Sequence, residues 1–351
     1  MKILFYGAGV IGSIYGARLC RAGHDVSVLA LGQRFRDIRE RGIVLQHALT
    51  GEQAVVRVNV VAQLAPDDVY DLIVVAMREN QVDTVLPILA ANRMAQNIMF
   101  MVNNPLGYDE WINAVGRERL LLAFPGCGGT IKDNIVHYII VSGLIQPTTF
   151  GEPDGRQSAR LREIVAVFKS AGFPVAISNN MDAWQKSHVA WVSPVASAIY
   201  MAGGDNYKLA RTPELVRLMV RAIRESYLVL RTLKIPVTPP KLRFWELIPE
   251  FILVTALRWW ANTKHFETVA THHSNAARNE METLAAEFRT LVQRAAVQTP
   301  ALDEMYKFLR DTSADGFLSG SVKSANEGNN LCEPLPKQSS AAQAVLPRIS
   351  S

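Results

Sequence analysis

At 351 residues, 49% of them apolar and 20% charged, the chain is long enough for two domains with substantial cores and has the composition of a soluble globular protein. Its formal charge of +5 is modest and its Lys and Arg residues are spread without a block, which argues against a nucleic-acid partner and fits a basic pocket for an anionic ligand. Three widely spaced cysteines, Cys20, Cys127 and Cys332, give neither a disulfide framework nor a metal-ligand spacing.

The chain begins with its most informative stretch. Lys2 to Tyr6 (KILFY) reads as a buried strand, Gly7-Ala8-Gly9-Val10-Ile11-Gly12 supplies the spacing G-x-G-x-x-G, Ser13 to Ala22 continues as a helix, and Asp25 to Ala30 is a second strand. In such a strand–turn–helix the first glycine makes the tight turn. The second lets backbone approach a pyrophosphate, and the third lets helix and strand pack closely, with the helix N-terminus facing the phosphates. Gly7, Gly9, Val10, Ile11 and Gly12 are therefore expected to hold a dinucleotide. A glycine turn without a ligand does not explain three glycines in register. With a strand from residue 2 there is no room for a signal peptide, so a cytoplasmic protein is expected.

The end of the second strand decides which dinucleotide. An NAD site places Asp or Glu there to accept from the ribose hydroxyl, but the strand ends Leu29-Ala30-Leu31-Gly32-Gln33-Arg34, with no carboxylate until Asp37. Arg34, and Arg78 after the later strand Leu72 to Met77, are placed to meet a 2′-phosphate, so NADP is the expected cofactor.

Arg36 to Arg41 continues as a charged helix, and residues 42–61 suit an antiparallel hairpin inserted into the nucleotide domain. The continuous apolar runs Tyr70 to Met77 and Asn97 to Val102 read as strands of a parallel sheet covered on both faces. Asn80 to Ala91 reads as a helix between them. Asn103 to Gly107 then leaves the carboxyl end of a strand, where open α/β sheets bind ligands. Leu120 to Gly129, Val136 to Ser142 and Thr148 to Gly151 read as further strands, followed by a helix from Ser158 to Ser170 and a strand from Phe173 to Ile177. From Asp182 long helices take over: Asp182 to Met201, Pro213 to Leu233, Trp245 to Thr263 and Glu280 to Ala296. The short apolar stretch Phe251 to Ala261 holds Arg258 and is expected to be a buried helix, with no membrane span. The expected organisation is a nucleotide domain over 1–180, a helical domain over 181–311 and a disordered, Ser/Ala/Gly/Asn/Pro-rich tail over 312–351.

Taken with Arg78, Asn104 and the segment Asp182-Ala183-Trp184-Gln185-Lys186, the glycine turn makes the chain resemble the ketopantoate reductase (2-dehydropantoate 2-reductase) family over roughly residues 1 to 310. The resemblance implies an α/β fold, a Rossmann-type doubly wound sheet followed by an all-helical domain. It also implies reduction of the 2-keto group of ketopantoate, a step in pantothenate biosynthesis, with NADPH. It assigns the catalytic acid to Lys186, since hydride transfer to a ketone leaves an alkoxide that an ammonium stabilises and protonates. It assigns Asn104 to the nicotinamide side, with Pro105 where the family has glycine, and Glu280 to a distal substrate hydroxyl. The family's basic residue at the second strand falls on Leu31, and its serine falls on Thr268, with Ser274 as the alternative. Its two asparagines after the lysine fall on Ala190 and Pro194, so the substrate pocket is expected to differ, and a more apolar oxo acid is the alternative substrate. A third reading, an NADP(H)-binding sensor without turnover, would have little reason to keep both Lys186 and Glu280. A monomer or a homodimer is implied. His272-His273 offers no familiar metal spacing, Cys127 in its glycine turn reads as packing, and Trp259-Trp260 reads as core or dimer contact.

Overall fold

The apolar runs of the N-terminal half form strands because β-branched and aromatic side chains fill a pleated surface buried on both faces. The computed structural model describes residues 1–309; the expected tail and Cys332 lie outside the described residues. Its strands are β1 (Lys2–Tyr6), β2 (Asp25–Leu29), β3 (Ile43–His47), β4 (Gln53–Val56), β5 (Asn59–Val61), β6 (Leu72–Val75), β7 (Asn97–Met101), β8 (Leu120–Phe124), β9 (Cys127–Lys132), β10 (Ile135–Ile140), β11 (Thr148–Gly151) and β12 (Val175–Ile177). The main sheet has eight strands in the order β12-β11-β8-β7-β6-β1-β2-β5. All neighbours run parallel except β8 and β11. β1 sits between β2 and β6, with Ile3 opposite both Val26 and Leu72. The chain builds outward from β1 on one side and then returns to the other, so the crevice at the carboxyl end of β1 is the topological switch point where α/β sheets take ligands.

The sheet is covered by α1 (Val10–Arg21), α2 (Gly32–Arg41), α3 (Val82–Ala91), α4 (Asp109–Val115) and α5 (Ala159–Ser170). The Ser158 hydroxyl caps α5 by accepting from the Leu161 N–H. Two expectations are corrected in this half. Residues 42–61 do contain an antiparallel hairpin, β3 with β4, but β5 leaves it to pair parallel with β2 at the edge of the main sheet. The run 120–129 is not one strand. Pro125 and Gly126 break it, and a Cβ on Gly126 would lie 2.4 Å from the Thr148 nitrogen. The break sends β9 into a second sheet of order β4-β3-β10-β9, which packs against α1. This diversion brings Cys127 to Ile131 over the switch-point crevice.

From Met181 onward the described residues are helical: α6 (Met181–Met201), α7 (Asn206–Arg211), α8 (Pro213–Thr232), α9 (Phe244–Leu247), α10 (Glu250–Ala261), α11 (Lys264–Phe266), α12 (His272–Ala276) and α13 (Arg278–Ala295), with a π-helical turn at Glu267–Thr271 between α11 and α12. α6 and α8 pack together around Val189, Ala198, Ile199, Val220 and Ile223, all fully buried. The expected helix from Trp245 to Thr263 is two helices. Ile248 precedes Pro249 and is driven into extended backbone, ψ 131°, which ends α9. α10 is also not wholly buried: Leu253, Val254 and Leu257 face the core, while Phe251 and Trp259 are exposed. No helix among the described residues is long and apolar enough to cross a membrane.

Candidate active site at the switch-point crevice

A cavity of about 490 Å³ opens at the carboxyl ends of β1, β6 and β7. Gly9, Val10 and Ile11 from the glycine turn, Met77 and Arg78 after β6, and Val102 and Asn103 after β7 line one side. β9 lies over them, and α6, α10 and the stretch from the π-helical turn to Glu280 close the other.

The three glycines behave as their spacing predicts. Gly7 has φ +120°, a region hostile to L side chains, and a Cβ there would lie 2.5 Å from the Ala76 carbonyl oxygen. A Cβ on Gly12 would lie 1.9 Å from the carbonyl oxygen of Gly7, so α1 rests on the turn backbone to backbone. A Cβ on Gly9 would meet no atom within 4 Å, because it would project into open space. Gly9 is also the N-cap of α1 and offers no side-chain acceptor, so the first N–H groups of the helix remain available to an anion. This open cradle is what a pyrophosphate needs.

Arg34 folds back onto the same turn. Its guanidinium donates to the Ala8 carbonyl at 3.1 Å, the Ser13 hydroxyl at 2.9 Å and Asn134 Oδ1 at 2.5 Å. It does not line the cavity, and three of its donors serve the fold. Arg78 does line it, with Nη1 donating to Asn279 Oδ1 at 3.3 Å and Nη2 to the Ala276 carbonyl at 2.5 Å, so it bridges the sheet and the start of α13.

The turn after β7 gives its two asparagines different surroundings. Asn104 is committed to the turn itself, its Oδ1 accepting from the N–H groups of Leu106 and Gly107 and its Nδ2 donating to the Gly107 carbonyl. Pro105 has no N–H, and the Asn104 amide closes the turn around it. Asn103 therefore faces the cavity. Its Nδ2 donates to Glu280 Oε1 at 3.1 Å, and its Oδ1 is buried with no partner. An orphaned buried acceptor carries a cost of about 1–3 kcal/mol unless a ligand donor meets it, which makes Asn103 the candidate position of this turn.

Lys186 is buried on α6 but is not among the cavity-lining residues, because its ammonium turns back one helical turn to Asp182. The adjacent Gln185 donates to the Val102 carbonyl at 2.9 Å, which keeps this part of α6 beside Asn103. Ala190 and Pro194 do not line the cavity either. Ala190 lies in the helical core, and α6 continues through Pro194 without a break in its helix. Thr268 donates to the Lys264 carbonyl and stays in the fold, whereas Ser274 lines the cavity. The paired histidines diverge: His272 lies 3.6 Å from Glu267, and His273 lines the cavity. No cluster of metal-ligating side chains exists among the described residues. Cys127 lines the cavity too, but burial pushes its thiol up to about 12, which leaves no thiolate near neutral pH. His188, missed as a wall residue, stacks on Trp184, and burial pushes its pKa down to about 3, so it is a neutral ring.

Behind Arg78, Glu79 faces Glu287 of α13, and each keeps one buried carboxyl oxygen without a donor. Burial first, and the facing Glu79 second, push Glu287 up to about 8. A carboxyl raised in the folded state contributes stability fully present below the ordinary carboxylate range and lost as pH rises through the folded value. Glu287→Gln should therefore flatten the pH dependence and raise Tm relative to the parent above pH 8 in paired melts at pH 6 and pH 9. Equal slopes in the two proteins would refute this.

The fold is of the Rossmann type, with a helical part that closes over the switch-point crevice. Residues 3–155 match the family model described as ketopantoate reductase PanE/ApbA. The 2-dehydropantoate 2-reductase of Aquifex aeolicus (strain VF5) is 22% identical over 319 residues, covering 88% of this chain and 96% of that protein. A putative ketopantoate reductase from Ralstonia solanacearum MolK2 superposes with a TM-score of 0.70 at 18% identity, covering 88% of this chain and 96% of the other. A D-mandelate dehydrogenase solved with NADH and anilino(oxo)acetate gives 0.70 at 14% identity, covering 90% and 99%.

Proposed function

We propose that the chain is a reductase that converts a small 2-oxo acid to its 2-hydroxy acid with a reduced nicotinamide dinucleotide, NADPH by preference. In this reading residues 1–180 bind the cofactor and residues 181–311 complete the substrate site. The observation that carries it is the convergence of the open Gly9 cradle, the unpartnered Asn103 acceptor and the buried Glu280 carboxyl on one cavity. When bound, the reduced nicotinamide supplies a hydride to the carbonyl carbon.

The chain's own groups do the rest. Gly7 and Gly12 shape the turn, and Gly9, Val10 and Ile11 present backbone N–H groups to the phosphates. Arg34 keeps N–H groups beyond its three bonds, and with Arg78 it offers positive charge where the sequence after β2 lacks a ribose-accepting carboxylate. Asp37, the first acid there, already accepts from Gln33 Nε2 at 2.8 Å. Glu280 fixes the Asn103 amide so that Oδ1 faces the ligand. Lys186, paired with Asp182, exchanges that carboxylate for the developing alkoxide and gives it a proton. Geometry without a ligand does not exclude such a donor, because catalytic hydrogen bonds often form only in the reactive complex.

NADPH oxidation by purified protein with a panel of 2-oxo acids tests the reading. Turnover with any of them supports it, and binding of NADPH without turnover would favour the sensor instead. For the cofactor, Arg34→Ala should weaken NADPH about tenfold or more, the size of a charge-assisted hydrogen bond, while leaving NADH within about twofold. Equal loss for both, read by titration of cofactor fluorescence, would reduce Arg34 to a brace for the turn.

A further inference from the structure

The two sides of the cavity differ in chemistry. The sheet side carries Asn103 and Arg78, with Glu280 beside them, whereas the helical side presents Trp191, Val192 and Val195 from α6, Trp260 from α10, and Val269 and Ala270 from the π-helical turn. The rings are held in place. Trp191 and Trp260 lie 6.1 Å apart, Trp260 stands edge-on to Phe266 at 4.8 Å, and Trp191 stands edge-on to Trp245 at 6.3 Å. His188 adds a neutral flat ring rather than a charge.

The serine hydroxyls of α6 are spent within the fold, and the polar groups the helix brings to this wall are the His188 ring and the Trp191 indole N–H. The Ser187 hydroxyl donates to the Ala183 carbonyl and accepts from the Thr238 N–H; Ser193 donates to the Tyr306 hydroxyl, and Ser197 to the Ser193 carbonyl. Ala190 and Pro194 have no polar side chain to offer, and one of the two Glu280 oxygens is already engaged by Asn103. A distal substrate hydroxyl set against Val192, Val195 and Val269 would lie unpaired there, which is unfavourable. A flat apolar end would meet ring faces and branched methyls.

We infer that the substrate is an aryl 2-oxo acid, with the oxo-carboxylate at the Asn103 side and the ring against Trp191 and Trp260. The inference rests on the reductase reading, and binding to the same pocket is measured separately from turnover.

The experiment compares phenylpyruvate and phenylglyoxylate with pyruvate and ketopantoate on the full chain, in kcat/KM with NADPH and in binding by titration calorimetry. At least about tenfold higher kcat/KM for an aryl acid is expected, the discrimination an apolar pocket gives for a few carbon atoms. Trp260→Ala should remove most of that preference. Val192→Asn, which places an amide on the wall with little change in volume, should move it toward ketopantoate even if the tryptophan variant folds poorly. Ketopantoate or pyruvate reduced as well as the aryl acids would overturn the inference and leave the reductase standing. If no acid is reduced, the reductase reading fails, and calorimetry decides the pocket: selective binding of an aryl acid upholds the inference, and absence of selectivity overturns it.

Discussion

Lys186→Ala should lower kcat for oxo-acid reduction by about 10²- to 10⁴-fold, the range for loss of a positioned proton donor, with KM changed far less. The stability cost should be small. The Asp182 partner is 43% exposed and the pair is spaced i,i+4 on a helix, a class of ion pair that contributes about 0.3–0.5 kcal/mol. Tm should therefore barely move, and the loss of rate should be chemical. Asp182→Asn offers a second measurement. Removing the competing carboxylate should free the ammonium for the alkoxide and keep activity, and loss of activity would mean that Asp182 positions the lysine. If Lys186→Ala turns over like the parent, the lysine stands outside the chemistry and the proton comes from another cavity group, with His273 the imidazole to test next.

The second large effect separates two glycines that the motif treats alike. Gly12→Ala should strongly destabilise the packing of α1 on the central sheet. The new Cβ would sit 1.9 Å from one backbone atom and 3.1 Å from another, and backbone cannot rotate out of the way as a side chain can, so α1 must lift off β1. A cost beyond the usual overpacking penalty of about 1–3 kcal/mol is expected. Gly9→Ala should do the opposite. Its φ of −69° and ψ of −167° suit alanine and nothing lies within 4 Å, so Tm should hold while NADPH affinity falls at least about tenfold. Melting curves and cofactor titrations on the two variants decide it. Full cofactor affinity in Gly9→Ala would remove the cradle from the binding site.

Sequence alone revealed most of the central sheet because its strands are buried on both faces and so lack polar interruption. Lys2–Tyr6 agrees to the residue, and α1 starts three residues before the expected Ser13, because Gly9 can serve as its cap, and ends at Arg21 with Ala22 as its C-cap. The second sheet was hidden. β9 looks like an extension of β8, and only the close approach of Gly126 to Thr148 forces the chain to turn. The π-helical turn, which supplies Val269 and Ala270 to the cavity, has no local signature in a run of helix-compatible residues. At the site, residue types were legible but their commitments were not. Nothing near Arg34 indicates that Asn134, a hundred positions away, takes one of its donors. Asn103 and Asn104 are chemically identical neighbours, and the turn decides which of them looks inward.

The two bridges across the cavity also bear on tempo. Asn103 to Glu280 and Arg78 to Ala276 and Asn279 tie the sheet side to the beginning of α13. Any molecule that passes between these walls by parting them must first break those bonds, and any that leaves lets them re-form. Weakening the clasp, for example with Asn279→Ala, would then speed exchange while loosening the alignment that the chemistry needs, so a single edge of α13 governs both residence time and reactive geometry.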